Sequence, residues 1–383
     1  MKRVLFFALF LSAILAGCSS GKRLYQKGKY DEAVYKAVQR LQQKPSHKKA
    51  IRTLKAAYPQ AINYHMDRVK IAKESGDPLR WEQVFAEFQS LNGLYDAIMR
   101  SPAAQKAVKP QRYTTDMEQA RQNAAEARYK LGVEFLEKRN KNDAKTAYIH
   151  FEKARELMGA TYKDVDAKMS ESMSWAITNV VVLPVEVHSN ALKMSNDYFQ
   201  NKIMEWLYDN RVSKFVEFYT EEDANSRKIR KDEILDMSFD DFVVGQMVID
   251  RLQRELLKDS VIVGTTKVSL DGKRDTVLNV YGKAKATLFV TKQTVISSGL
   301  LDFKIREGRN GTILTQEKLP GTFTWLNQFG YYQGDVKALS EDDLKLTRGR
   351  EVPPPSPQDL FYEFTKPIFN QIVGKLSNYY SRY

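Results

Sequence analysis

Apolar residues along this chain recur with two different periods, and the change falls near residue 177. From about residue 22 to residue 176 they recur at helical spacing, glycine and proline are sparse, and alanine, lysine, glutamine and glutamate are common. That pattern predicts helices throughout. Past Asn179 the spacing shortens. Val180-Val181-Val182-Leu183-Pro184-Val185-Glu186-Val187 is a β-branched run that predicts a buried strand. Phe199, Ile203, Trp206 and Leu207 share one face of an amphipathic helix, residues 214–219 predict a second strand, and Glu221, Glu222 and Asp223 open a further helical segment. Residues 242–249 predict a third strand, with Gly245 where a backbone passes closely. Across residues 277–291 the pattern alternates strictly: Leu278, Val280, Ala284, Ala286, Leu288 and Val290 on one face, Lys283 and Lys285 on the other.

Two further strands, 300–306 and 313–318, flank Gly308-Arg309-Asn310-Gly311, a hairpin signal because glycine and asparagine accept positive φ. The run Pro353-Pro354-Pro355-Ser356-Pro357 is a stiff connector. It delivers a last helix with Phe361, Phe364, Ile368, Ile372 and Leu376 on one face. The predicted architecture is α + α/β. A helical array over residues 18–176 is followed by a mixed α/β domain over residues 177–383 with a largely antiparallel sheet.

Residues 1–17 carry a different signal. Lys2 and Arg3 precede an apolar and small-residue run over 4–16, too short to span a bilayer as a permanent helix. This is the layout of a signal peptide. It ends in Leu15-Ala16-Gly17-Cys18, which resembles the lipobox of bacterial lipoproteins. That resemblance implies cleavage before Cys18 and a diacylglyceryl thioether on its sulfur. Cys18 is the only cysteine in 383 residues, which fits a lipidation site better than a structural thiol. No Asp follows Cys18, and no acidic cluster follows it either. Both features point to the periplasmic face of the outer membrane. The acyl chains would be the whole anchor, and helical sequence begins so soon after Cys18 that the array should lie near the membrane.

The formal charge of +13 narrows the partners. Lys48, Lys49, Arg52 and Lys55 form one basic cluster, and Arg227, Lys228, Arg230 and Lys231 another. Outside the cytoplasm nucleic acid is not an expected partner. Anionic lipid headgroups, cell-wall polymers or acidic protein faces suit this charge, and so does a merely solvated basic surface.

Two stretches of the helical half resemble tetratricopeptide repeats: Gly28, Tyr30, Ala33, Ala37 and Pro45, and then Leu131-Gly132, Phe135, Ala147, Phe151 and Ala154. The resemblance implies stacked helix pairs enclosing a groove that holds a peptide or a helix. Tyr25, Tyr30, Tyr64, Trp81 and Tyr95 are candidates either to line that groove or to fill the core. In the second half, the 180–187 strand with Leu183-Pro184, the helix with Trp206-Leu207, Phe215-Val216 and Phe242-Val243-Val244-Gly245 resemble the CsgG/LpoB family. Its members are curli secretion channel subunits and the lipoprotein activator of penicillin-binding proteins. Residues 251–276 read as an insertion relative to that domain.

Tests for chemistry end without a catalytic residue. His47, His65, His150 and His188 lack metal-ligand spacing. Gly264-Thr265-Thr266-Lys267 lacks the glycines of a phosphate loop and predicts a turn. Asp240-Asp241 and Asp342-Asp343 are adjacent acids that diverge on a strand or a helix. The chain is expected to need no cofactor or metal and to work by binding, with Cys18 as its one assigned site. Its partners would be envelope proteins contacting the helical repeats and the C-terminal domain, plus the membrane through the lipid. An oligomeric secretion-pore subunit is the alternative.

Overall fold

A computed structural model describes residues 21–187, 193–210, 212–270 and 274–383. Cys18 and His188 lie outside the described residues. The chain divides into two compact units at Ile177/Thr178.

The first unit is helical: α1 (Lys22–Gln26), α2 (Tyr30–Gln43), α3 (Lys48–Glu74), α4 (Arg80–Met99), α5 (Pro102–Ala107), α6 (Thr114–Glu137), α7 (Lys141–Met158) and α8 (Val165–Ala176). Side-chain caps set several starts. His47 Nδ1 accepts from the Ala50 amide at 3.1 Å, Ser101 Oγ from Ala104, and Asn140 Oδ1 from Asp143. Each satisfies an amide that the helix itself leaves unpaired. Consecutive helices pack through small residues: Ala33, Ala37, Ala50, Ala57 and Ala61 are fully buried where α2 meets α3. Gly132 on α6 lies under the Phe151 ring of α7, and a Cβ there would stand 2.7 Å from it. Small side chains are what let helix axes approach this closely while larger ones fill the gaps.

The second unit holds a five-stranded sheet in the order β2-β1-β3-β4-β5. The strands are β1 (Thr178–Val182), β2 (Val216–Thr220), β3 (Glu233–Leu270), β4 (Arg274–Glu307) and β5 (Ile313–Gly334). Helix α9 (Lys193–Asp209) connects β1 to β2, and α10 (Glu221–Ser226) follows β2. A short 3₁₀ turn (Val336–Ala338), α11 (Glu341–Arg348) and α12 (Pro357–Tyr380) close the chain. Strand β1 is parallel to both β2 and β3, whereas β3, β4 and β5 pair antiparallel. The sheet is therefore mixed, which corrects the expectation of a largely antiparallel one. A helix between two neighbouring strands returns the chain to the same end of the sheet, and the second strand then runs parallel.

The core of this unit lies between the sheet and α9 with α12. Phe361, Phe364, Ile368, Ile372 and Leu376 of α12 are all fully buried, each worth roughly 1.5–3 kcal/mol of burial. Phe364 seats over two glycines that face each other across the β4–β5 ladder, Gly299 and Gly321. A Cβ on Gly321 would stand 2.2 Å from the Phe364 carbonyl oxygen, so only glycine fits there.

Candidate interaction surfaces

Strands β3 and β4 are much longer than the shorter segments predicted. The runs 242–249, 277–291 and 300–306 are parts of strands of 38 and 34 residues. Of the apparent insertion at 251–276, residues 251–270 and 274–276 belong to the limb that β3 and β4 share. At about 3.3 Å per residue, β3 runs on the order of 100 Å. Gly264-Thr265-Thr266-Lys267 is paired strand, not a turn: Gly264 faces Val280 and Lys267 faces Val277. Threonines suit a pleated strand, and the glycine follows a bulge between Ile262 and Gly264. Gly245, at φ 78°, sits in another bulge between Val243 and Gln246.

Strand β5 covers β4 only from Ala286 to Arg306, so beyond Lys285 the ribbon has two strands. Strand β1 covers β3 only at Glu233–Leu235, with one further bridge from Glu186 to Ser238. Among the described residues, no strand pairs with the outer edge of β3 past Ser238 or with the outer edge of β5. Along β4 the buried parity changes: Ala284, Ala286, Leu288 and Val290 are buried, then Val295, Ser297, Leu301, Phe303 and Ile305. Successive strand residues face opposite sides, so the two groups are covered from opposite sides. Ala338, Leu339 and Leu344 of the 3₁₀–α11 segment pack on Ala284 and Ala286. Arg254 Nη2 holds α11 through Asp343 Oδ1 at 2.7 Å. Helix α12 covers the second group.

Past this cover the ribbon exposes apolar side chains on both faces. Leu278 and Val280 lie on one, Val277 and Tyr281 on the other, and Leu257 is 64% exposed. Lys283–Asp259 and Lys285–Glu255, each at 3.5 Å, are exposed cross-strand pairs at the ribbon's middle. Asp240 pairs with Lys318, and Asp342 with Lys345. Asp343, next to Asp342, instead meets Arg254, and Asp240 lies in a bulge between Phe239 and Asp241.

The helical unit carries two buried histidines in opposite electrostatic settings. His65 Nδ1 lies 2.6 Å from Glu87 Oε2, and its Nε2 lies 2.9 Å from Asp31 Oδ2. Arg68 Nε donates to the other Glu87 oxygen at 2.5 Å. Burial alone would lower the His65 pKa. The hydrogen bonds and charges of Asp31 and Glu87 outweigh it and raise the pKa. The ring lies between two carboxylates and ties α2, α3 and α4 together, and this arrangement favours its charged form. His150 is stacked on Phe135, and burial together with Arg128 lowers its pKa. Among the described residues no group of three or more His, Cys, Asp or Glu is placed to hold a metal.

Two shallow grooves flank α2. One of about 530 Å³ is lined by Leu24, Tyr35, Val38, Ala97 and Arg100, and one of about 550 Å³ by Leu41, Pro45, Ile51 and Pro102. Gln42 and Arg100 line both. Of the candidate aromatics, Tyr25, Tyr30 and Trp81 pack against the helical cores, and Tyr64 is exposed beneath the Arg68 guanidinium. Tyr95 lies under Arg112. The grooves use none of these five. No helix among the described residues is long and apolar enough to cross a membrane.

No protein-family model matches this chain, and no curated protein matches it in sequence. Among solved structures, a protein described as a neuraminyllactose-binding hemagglutinin homologue from Helicobacter pylori aligns with 53% of this chain and 86% of its own. The identity is 8% and the TM-score 0.23.

Proposed function

We propose that this chain is a non-catalytic assembly module of a bacterial envelope machine, lipid-anchored at Cys18 to the periplasmic face of the outer membrane. The helical unit holds a protein partner, and the sheet unit docks onto the machine, one of peptidoglycan synthesis, outer-membrane assembly or secretion. The observation that carries the reading is the β3–β4–β5 ribbon, with two edges that no strand pairs among the described residues and apolar side chains exposed on both faces. Such an edge is a template for pairing, and proteins that do not use one shorten, charge or cover it. The alanine-lined α2–α3 contact and Gly132 beneath Phe151 support the tetratricopeptide-like reading of the helices. The order β1, α9, β2 and the buried α12 support the CsgG/LpoB-like reading of the sheet unit.

The test is site-specific photo-crosslinking in intact cells, with a benzoylphenylalanine in turn at Leu257, Val280 and Leu326, all exposed ribbon positions. Discrete adducts with another envelope protein are expected there and not at Gln60, an exposed position on α3. If no ribbon position yields an adduct, the reading loses its basis.

One observation favours a second reading, an oligomeric secretion-pore subunit. The two-stranded end of the ribbon, from Leu257 to Leu270 on β3, exceeds the 9–11 residues a membrane-crossing strand needs, and its side chains include Ile262, Val263, Leu278 and Val280. The native mass of the detergent-extracted protein separates the two. A large ring that conducts ions in planar bilayers supports the pore, and a monomer or small complex rejects it.

A further inference from the structure

The positive charge of this protein is concentrated in one place. Residues 21–58 hold eleven Lys and Arg against Asp31 and Glu32, a net +9 out of the chain's +13, which leaves +4 for everything else. On α3, Lys48, Arg52 and Lys55 stand at i, i+4 and i+7 and are exposed, as is Lys49 beside them. The opposite face of the same turns, Ala50, Leu54 and Ala57, is fully buried. The stripe therefore points away from the core.

The fold gains nothing from these charges. Among the described residues none of Lys48, Lys49, Arg52 and Lys55 forms an ion pair. Lys48 repels Arg52 one turn on, and Arg52 repels Lys55. Lys48 and Lys49 occupy the first turn of α3, where no acidic residue stands and the helix dipole disfavours cations. The nearby acids are already engaged, Asp31 by His65 and Glu32 by Lys29. The other basic cluster behaves differently: Arg227 pairs with Asp223, Arg230 with Asp232, and Lys231 with Glu221. In that cluster three of the four cations meet carboxylates of the fold; on α3 none of the four does.

We propose that the α3 stripe is a docking surface for an anionic lipid membrane. The inference deepens the lipid-anchored reading and rests on it for the choice of partner. Lys22 follows Cys18 by four residues, a reach of about 14 Å at most. A lipid on Cys18 thus holds α1 near the headgroups, and α1 packs into the same core as α2 and α3, the helix that carries the stripe. An anchor and a basic patch together hold a protein at a surface that either signal alone would leave reversibly.

The experiment uses the chain from residue 18 onward with Cys18→Ser, which removes the lipid and isolates the patch. Co-sedimentation with vesicles containing phosphatidylglycerol is compared with pure phosphatidylcholine. At about 0.1 M salt at least about tenfold stronger binding to the anionic vesicles is expected, abolished at about 0.5 M. The variant Lys48→Gln, Lys49→Gln, Arg52→Gln, Lys55→Gln keeps its circular dichroism spectrum and loses that preference by about tenfold or more. Equal binding to both vesicle types overturns the proposal in favour of a solvated surface. A quadruple variant that binds like the parent overturns it as well. Membrane-independent capture of an acidic protein, with no vesicle binding, reassigns the patch. The intact mass of the native protein extracted from membranes reads lipidation at Cys18 separately, so failure of the anchor and failure of the patch are distinct results.

Discussion

Replacing His65 with leucine removes the cation that joins two carboxylates inside the helical unit. The His65 and Glu87 side chains are only 5% and 8% exposed, so Glu87 would be left with Arg68 alone, and Asp31 with no partner from α3. Breaking a buried charged pair by deleting one member costs about 3–5 kcal/mol, and hydrogen bonds to charged groups run at about 1.5–3 kcal/mol each. A loss of about 3–5 kcal/mol is expected, read as a lower midpoint in urea unfolding followed by helical circular dichroism. The double variant His65→Leu, Glu87→Leu, apolar on both sides, should recover much of the loss. The pH dependence follows from the raised folded-state pKa. The histidine's contribution is fully present below its unfolded value near 6.5 and is lost as pH rises through the higher folded value. As pH rises from about 6.5 through the raised folded value, the parent should lose stability that the leucine variant never had. A variant within about 1 kcal/mol of the parent, with the same pH slope, would refute the reasoning.

Gly321→Ala places a Cβ against the Phe364 backbone, and about 1–3 kcal/mol of destabilisation is expected. Gly299→Ala meets the Phe364 ring instead, so adding Phe364→Leu should ease the Gly299→Ala penalty and leave that of Gly321→Ala. A double-mutant cycle in thermal unfolding measures the difference. Gly132→Val drives two methyls into Phe151 and should lower the melting temperature of the helical unit by several degrees, about 2–4 °C per kcal/mol. At Asp302, burial would raise the carboxyl pKa, but Lys304 at 2.7 Å, Gln316 and Lys318 outweigh it and hold the pKa below its usual value. Its stabilisation is present above the unfolded carboxylate value and lost as pH falls through the lowered folded one. Asp302→Asn should flatten the acid limb of a urea-unfolding profile below about pH 4.

Parts of the second unit were legible because they bury one side along their whole length. The last helix is one case: its five apolar positions have one surface to meet, and that surface is the sheet. Strand β5 shows where legibility ended. Leu319, Phe323, Trp325, Phe329 and Tyr331 all fall on one parity, yet the predicted strand stops at residue 318, just ahead of Pro320-Gly321. The structure tolerates Pro320 because β5 is an edge strand with no ladder partner on its outer side, and it requires Gly321 because a helix backbone presses there. Neither fact is local. The His65 cluster left no trace at all, since its partners Asp31 and Glu87 are 34 and 22 residues away.

By itself the sequence determined what depends on neighbours along the chain: the helical and extended periods, the division near residue 177, the lone cysteine behind its apolar run, and the crowding of charge into residues 21–58. Tertiary structure decided what depends on who lies opposite. Alternation in β4 is the same from Ala284 to Ile305, yet the buried face switches after Val290, because α11 covers one side of the sheet and α12 the other. A period records that a strand has two faces; only the elements packed against it choose which one is dry, and only the absence of a neighbour leaves an edge open.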